Sequence, residues 1–392
     1  MTGIDTGSFF AIFAAAALAS LVIAALGRRA ALPVVVVELL LGILIGPQGL
    51  ELAKPGPFID FFATGGLGML FFFAGYEIDF QRIKGPALNL GAGGWLISVA
   101  LAYALAGLLQ ATGIVVSGVY TGTAMATTAI GTLIPILGDS GEIRSKVGTY
   151  VLAAGAAGEF GPILLMTLGL SAMAPLDQAA LLLGFVAAAV AFSVIAVRAT
   201  GLGWSALSRG LQTSGQAPVR LVVLFVFALV ALAGELGLDM LLGGFVAGIV
   251  VRTILRGREV EVFESKLVAV GYGFFIPFFF VVSGMNFDLD SLFGSTSGLI
   301  KLPLFLLLFV VVRGTPAMLL YRGRLDLRDR SALAFFSATQ LPLVVAITTI
   351  AVDQDRMRAS TASALVGAAI LSTALFPLVA TRLRAGRLPG QS

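Results

Sequence analysis

Residues 148–168 read GTYVLAAGAAGEFGPILLMTL, an apolar run long enough to cross a bilayer as one helix. It carries a single carboxylate, Glu159, almost at its centre. An ionisable group at that depth costs about 2.5 kcal/mol or more, and such groups mark ion or proton sites. Gly148, Gly155, Gly158 and Gly161 leave the backbone bare, so neighbouring segments can approach closely. Pro162 has no N–H to offer the carbonyl of Gly158, which is expected to lie free beside the carboxylate. A carboxylate next to a released carbonyl suits a proton or a dehydrated cation. The bland reading, a carboxylate that only caps a helix–helix contact, is the weaker one at this depth.

Composition agrees with a membrane setting. Of 392 residues 58% are hydrophobic and 12% charged, about half the charge of a soluble protein. Mean hydropathy is +1.01. No cysteine and no histidine are present, which excludes disulfides, thiolate metal sites, and the usual ligation of zinc or haem. No cofactor is expected. The basic balance sits in loops, where it sets topology rather than binding nucleic acid. The first apolar run lacks a basic start and reads as a retained span, not a cleaved leader.

An all-α integral membrane fold with thirteen transmembrane helices follows. The spans are expected at 8–27, 32–46, 61–78, 87–111, 114–137, 146–171 and 177–197. The rest are expected at 218–234, 238–251, 267–285, 298–321, 330–352 and 359–381. Loops after odd-numbered spans, with the C-terminal end, hold twenty Lys and Arg; the opposite loops hold four, Lys54, Lys301, Arg356 and Arg358. The positive-inside rule therefore puts the N-terminus outside and the C-terminus in the cytoplasm. Residues 1–385 form the membrane domain and 386–392 a short cytoplasmic tail.

The halves repeat weakly. Residues 39–44 (LLLGIL) resemble 245–250 (FVAGIV), and FFFAGYEIDF at 71–80 resembles FFFVVSGMNFDL at 278–289. Pro135 follows Gly75 by sixty residues and Pro342 follows Gly284 by fifty-eight. Both prolines sit in hydroxyl-rich apolar spans, TTAIGTLIP (127–135) and SATQLP (337–342). The repeats lie seven spans apart, so they should be inverted in the membrane. Two interrupted helices at matching places in inverted repeats point to an ion site at the midplane. Thr127, Thr128, Thr339 and Gln340 could add oxygens there. Thr128 and Gln340 either line the ion path or make ordinary helix–helix hydrogen bonds. Arg313, deep in LFLLLFVVVRGTPAMLLY (304–321), is the natural electrostatic partner of Glu159, or else it neutralises the dipoles of the broken helices.

LPVVVVELLLGILIGPQGL (32–50) resembles the opening of the monovalent cation:proton antiporter-2 family, the Kef-type and NapA-type sodium or potassium/proton exchangers. FFFAGYEIDF, MATTAIGTLIPIL (125–137), FFFVVSGMNFDL and SATQLPLVVAITTIA (337–351) follow in the family's order, covering nearly the whole chain. The resemblance implies thirteen helices in core and dimerisation bundles, with two discontinuous helices crossing near the ion site. It also implies a homodimer in a prokaryotic cell membrane and an elevator-like movement of the core. The family's essential carboxylate falls on Glu159 and its buried basic residue on Arg313. Two departures stand out. Gly158-Glu159 replaces the usual Asp-Asp or Gln-Asp, so the second carboxylate linked to electrogenic exchange is missing. The nucleotide-binding regulatory domain of many Kef-type relatives is not expected here.

The mechanism expected is competition: Glu159 takes a proton or Na+ or K+, never both, with Arg313 pairing with the empty carboxylate. One proton for one cation moves no net charge. A channel-like K+ efflux pathway without proton coupling is the alternative, and continuous conductance would distinguish it. No enzymatic signature stands: GSTSG (294–298) puts threonine where a nucleophilic serine belongs, and GYG (271–273) lacks the context of a potassium filter. Glu38 is expected to be a structural partner near the cytoplasmic interface. Glu77, Asp79, Asp288 and Asp290 are expected to be solvated at helix ends; Asp139 and Glu142, after the broken fifth span, are expected to be solvated or else to attract cations on the cytoplasmic side.

Overall fold

The computed structural model describes residues 5–26, 33–77, 85–169, 175–199, 215–238, 240–255, 261–294 and 296–384, and these hold helices and no strand. Several residues on which the topology reading drew, Arg28, Arg29, Arg82, Lys84, Arg209, Arg256, Arg258 and Arg387, lie outside them. So do Asp79 and the tail 386–392.

The helices are α1 Thr6–Leu26, α2 Val34–Ile45, α3 Pro57–Glu77, α4 Pro86–Ala111, α5 Gly118–Met125 and α6 Ile130–Asp139. A 3-10 turn, Glu142–Arg144, leads into α7 Lys146–Gly169, then α8 Pro175–Ala199, α9 Ala217–Glu235 and α10 Met240–Leu255. Next come α11 Glu261–Val270, a π-turn Gly271–Phe275, α12 Ile276–Met285 and the short α13 Leu289–Phe293. Last are α14 Thr296–Leu320, α15 Leu327–Ala338, α16 Pro342–Asp353 and α17 Ala359–Arg384. Among the described residues nine stretches are long and apolar enough to cross a membrane, and Val34–Ile45, Ala180–Ala191 and Met240–Leu255 are shorter apolar helices.

The chain divides into two compact units. The first comprises Met1–Ala16, Ile45–Ile78 and Ile163–Met285. Its centre is α3 against α10, where glycine permits backbone contact: a Cβ on Gly248 would overlap the Phe72 carbonyl, and one on Gly244 the Gly68 carbonyl. This Gly-x-x-x-Gly spacing lets two helices meet without side chains between them. Phenylalanines close one end, with Phe9 and Phe62 tilted against Phe278 at 5.1 and 5.3 Å between ring centres. At the other end the Tyr76 hydroxyl donates to Glu264 Oε1 at 2.7 Å, and Arg252 Nη1 reaches the same oxygen at 3.1 Å. Glu77, expected in solvent, is half-buried beside this cluster on the chain.

The second unit comprises Ala17–Leu44, Asp79–Pro162 and Asn286–Ser392. Here α4 packs on α5 and α14, while α17 packs on α14, α15 and α16. Glu38 is 3% exposed, and among the described residues its Oε2 has no hydrogen-bond partner. Asp288, also expected in solvent, caps α13 by accepting from Ser291 N at 2.7 Å. Glu142 after α6, Asp329 at the start of α15 and Arg384 at the end of α17 meet in one cluster. At the opposite ends Lys301 Nζ donates to Thr361 Oγ1 at 3.1 Å, and the Tyr120 hydroxyl donates to Gln354 Oε1.

Candidate ion-binding site

Two helices of the second unit are interrupted, and both interruptions are polar. Residues 126–129 separate α5 from α6, and 339–341 separate α15 from α16. The prolines do not all mark the breaks as expected. Pro342 is the first residue of α16, but Pro135 lies within α6, and Pro162 within a continuous α7. The first break instead coincides with Thr127 and Thr128. Threonine hydroxyls offer the backbone an alternative to its own helix, and here Thr127 reaches both its own helix and Gln340 while Thr128 reaches Ser337.

The two breaks are tied directly to each other. Ala129 N donates to Thr339 O at 2.9 Å. Thr127 Oγ1 donates to Ala124 O at 2.9 Å and Gln340 Oε1 at 3.1 Å, and Gln340 Nε2 returns to Met125 O at 3.0 Å. Ser372 and Thr373 on α17 both donate to Gln340 O at 3.0 Å, and Trp95 Nε1 donates to Ala126 O at 3.2 Å. Carbonyls and N–H groups released by unwinding thus find partners, as they must where water is excluded.

Thr128 is the pivot. Its Oγ1 donates to Ser337 O at 2.6 Å and accepts from Arg313 twice, from Nε at 2.9 Å and Nη2 at 2.7 Å. Its N–H donates to Gly158 O at 3.0 Å. That bond corrects the expectation of a free carbonyl beside Glu159: Pro162 does release it, and the broken helix takes it. The rest of the guanidinium is held by Ala154 O at 3.0 Å from Nη2 and Ser98 Oγ at 3.1 Å from Nη1. Ser98, Ser337, Trp95, Ser372 and Thr373 were missed by the sequence reading. None stands in a motif of its own along the chain, and only their convergence distinguishes them.

Glu159 sits on α7 with its residue 5% exposed, and Arg313 is 3% exposed. The two are joined through Gly158. A Cβ there would lie 2.5 Å from Arg313 Nη2 and 2.7 Å from Thr128 Oγ1, so the guanidinium occupies the space a side chain would need. One turn on, Gly161 is covered by the Trp95 indole. A small cavity beside Arg313 is lined by Trp95, Ala154, Pro316, Ser337 and Tyr321, whose buried hydroxyl has no hydrogen-bond partner. Glu142, expected in solvent, lies instead in an ion pair with Arg384 (2.8 Å). The arrangement is a buried carboxylate at Glu159, a guanidinium resting on the bare Cα of the preceding residue, and two helix breaks tied to each other by hydrogen bonds.

The chain belongs to the sodium/hydrogen exchanger family, whose transmembrane model matches residues 15–383. It is similar to the putative Na(+)/H(+) antiporter YjbQ of Bacillus subtilis, 27% identical over 91% of this chain and 59% of that protein. The chain therefore spans less than two thirds of that relative. It is also similar to the Na(+)/H(+)-K(+) antiporter GerN of Bacillus cereus, 26% identical over 68% of each. Among solved structures it resembles that of the sodium proton antiporter MjNhaP1 from Methanocaldococcus jannaschii at pH 8. The TM-score is 0.61, with 18% identity over 96% of each chain, a likeness of fold.

Proposed function

We propose that this chain exchanges a monovalent cation, Na+ foremost, for H+ by alternating access, with Glu159 as the site that proton and cation share. The observation that carries this reading is the burial of Glu159 next to Gly158, on whose bare Cα the Arg313 guanidinium rests. A buried acid beside a buried base, both deep in apolar helices, is costly and is kept where ions move. Family membership and the names of the relatives point the same way, and GerN leaves K+ as a second cation. With one carboxylate at the centre, exchange is one for one and electroneutral.

Finer features belong to the same proposal. Thirteen spans result when the three shorter apolar helices and the interrupted pair α5–α6 are counted with the nine long stretches. The N-terminus is outside, the C-terminus cytoplasmic, and the protein a homodimer in a prokaryotic cell membrane. The five stretches quoted above support a reading of it as a member of the cation:proton antiporter-2 branch. The test is a dequenching assay in proteoliposomes carrying a pH gradient, titrated separately with Na+, K+ and Li+. Wild type should release the gradient on Na+ addition, and Glu159→Gln, correctly folded, should not. Full activity in that variant would end the reading.

A further inference from the structure

The side chains around the exchange site do not explain one buried charge far along the chain. Arg384, the last described residue of α17, is 5% exposed. Its Nε lies 2.8 Å from Glu142 Oε1 and its Nη1 2.5 Å from Asp329 Oδ1. Asp329 is 2% exposed, so this is an interior cluster and not a surface pair. The Nη1 contact to Asp329 is a directed N–H···O bond, set by the rigid fork of the guanidinium, while Glu142 is held close to Nε by charge rather than along the N–H.

What the two carboxylates belong to is the point. Asp329 stands in the first turn of α15, whose other end presents Ser337 O to Thr128 and Arg313. Eight residues separate them, about 12 Å of rigid helix. Glu142 stands in the turn that links α6 to α7. That turn is seated on α7 itself: a Cβ on Gly148 would overlap the Glu142 carbonyl, and Gly148 N donates to Ser145 Oγ at 2.9 Å. Glu159 lies eleven residues further along α7, about 17 Å. The half-helices α6 and α15 therefore meet twice, at their breaks through Ala129 N and Thr339 O, and at their far ends through Arg384.

We propose that Arg384 is a positioning residue for exchange: by pinning the far ends of α6 and α15 it fixes where the two breaks place Thr128, Ser337 and, through them, Arg313. This inference rests on the reading of Glu159 as the exchange site. Without the pin, the half-helices can splay and the seat of the guanidinium next to Glu159 loosens. Cation affinity then falls, although no group that touches the ion has been altered.

Proteoliposomes containing the full chain test this, with half-saturating Na+ and maximal rate measured separately at one pH. Arg384→Gln should raise half-saturating Na+ by about tenfold, and Arg384→Lys, which keeps one charge, should recover most of it. Should Arg384→Gln not yield monodisperse protein, Glu142→Gln keeps the pair with Asp329 and should raise the same quantity about threefold. A purely structural role would lower the yield of folded protein and leave half-saturation per folded molecule unchanged. That outcome, in Arg384→Gln or in Glu142→Gln, overturns the proposal. Wild type and Glu159→Gln measured alongside separate the cases: loss of Na+-driven release in wild type condemns the exchange reading itself, while normal exchange with unmoved half-saturation condemns only the role of Arg384.

Discussion

Gly158→Ala is the sharpest test of the site, because the methyl it adds has nowhere to go. The new carbon would stand 2.5 Å from Arg313 Nη2, 2.7 Å from Thr128 Oγ1 and 2.9 Å from Thr128 Cβ. Non-bonded heavy atoms settle at about 3.5 Å or more, so the guanidinium must retreat by about 1 Å. The Nη2 bonds to Thr128 at 2.7 Å and Ala154 O at 3.0 Å would then exceed hydrogen-bond range. Each bond from a charged donor contributes about 1.5–3 kcal/mol, and relaxation should recover part of the sum, leaving a net cost of about 2–3 kcal/mol. At about 1.4 kcal/mol per factor of ten, that is roughly 30- to 150-fold. The displaced charge stays beside Glu159 and competes with the cation, so half-saturating Na+ in proteoliposomes should rise by that order. Arg313→Lys has no Nη2 to collide with, so the double variant should lose less than the two single losses combined. Gly158→Ala with half-saturation and melting temperature both unmoved would refute the argument that the guanidinium fills this space.

Other consequences can be measured in parallel. A potassium-valinomycin potential of about 100 mV should leave the initial exchange rate within twofold, since only an uncompensated charge would feel about 2.3 kcal/mol; strong acceleration contradicts the one-carboxylate scheme. Trp95→Phe removes the donor to Ala126 O and withdraws the outer indole carbons that cover Gly161, and should cost about 1 kcal/mol or more, read as a lower melting temperature. In the first unit, Gly248→Val should give no monodisperse protein, because its Cβ meets the backbone of α3, whereas Gly273→Ala, with no neighbour within 4 Å of the new carbon, should be tolerated.

Much of the fold can be read from the chain because a membrane restricts backbone to helices, and apolar length then counts them. The burial of Glu159 and Arg313 was legible for a related reason: charge within an apolar run is too costly to face lipid. The positions of the breaks were not. Proline suggested Pro135, yet the helix opens at residues 126–129, where Thr128 and Ala129 find partners in α7 and in the second break. Those partners lie 30 and 210 residues away, beyond any local pattern. The same distance hid the fate of Glu142. Next to its own neighbours it looks like an ordinary loop charge, and only α17 shows that it is not.

The indole over Gly161 has a practical consequence. The chain holds two tryptophans, Trp95 and Trp204. With Trp204→Phe, all tryptophan emission would come from one ring lodged against the bare backbone two residues beyond Glu159. Sodium-driven rearrangement at that spot would then shift the spectrum of unlabelled protein, giving an optical gauge of occupancy that needs no vesicle and no gradient.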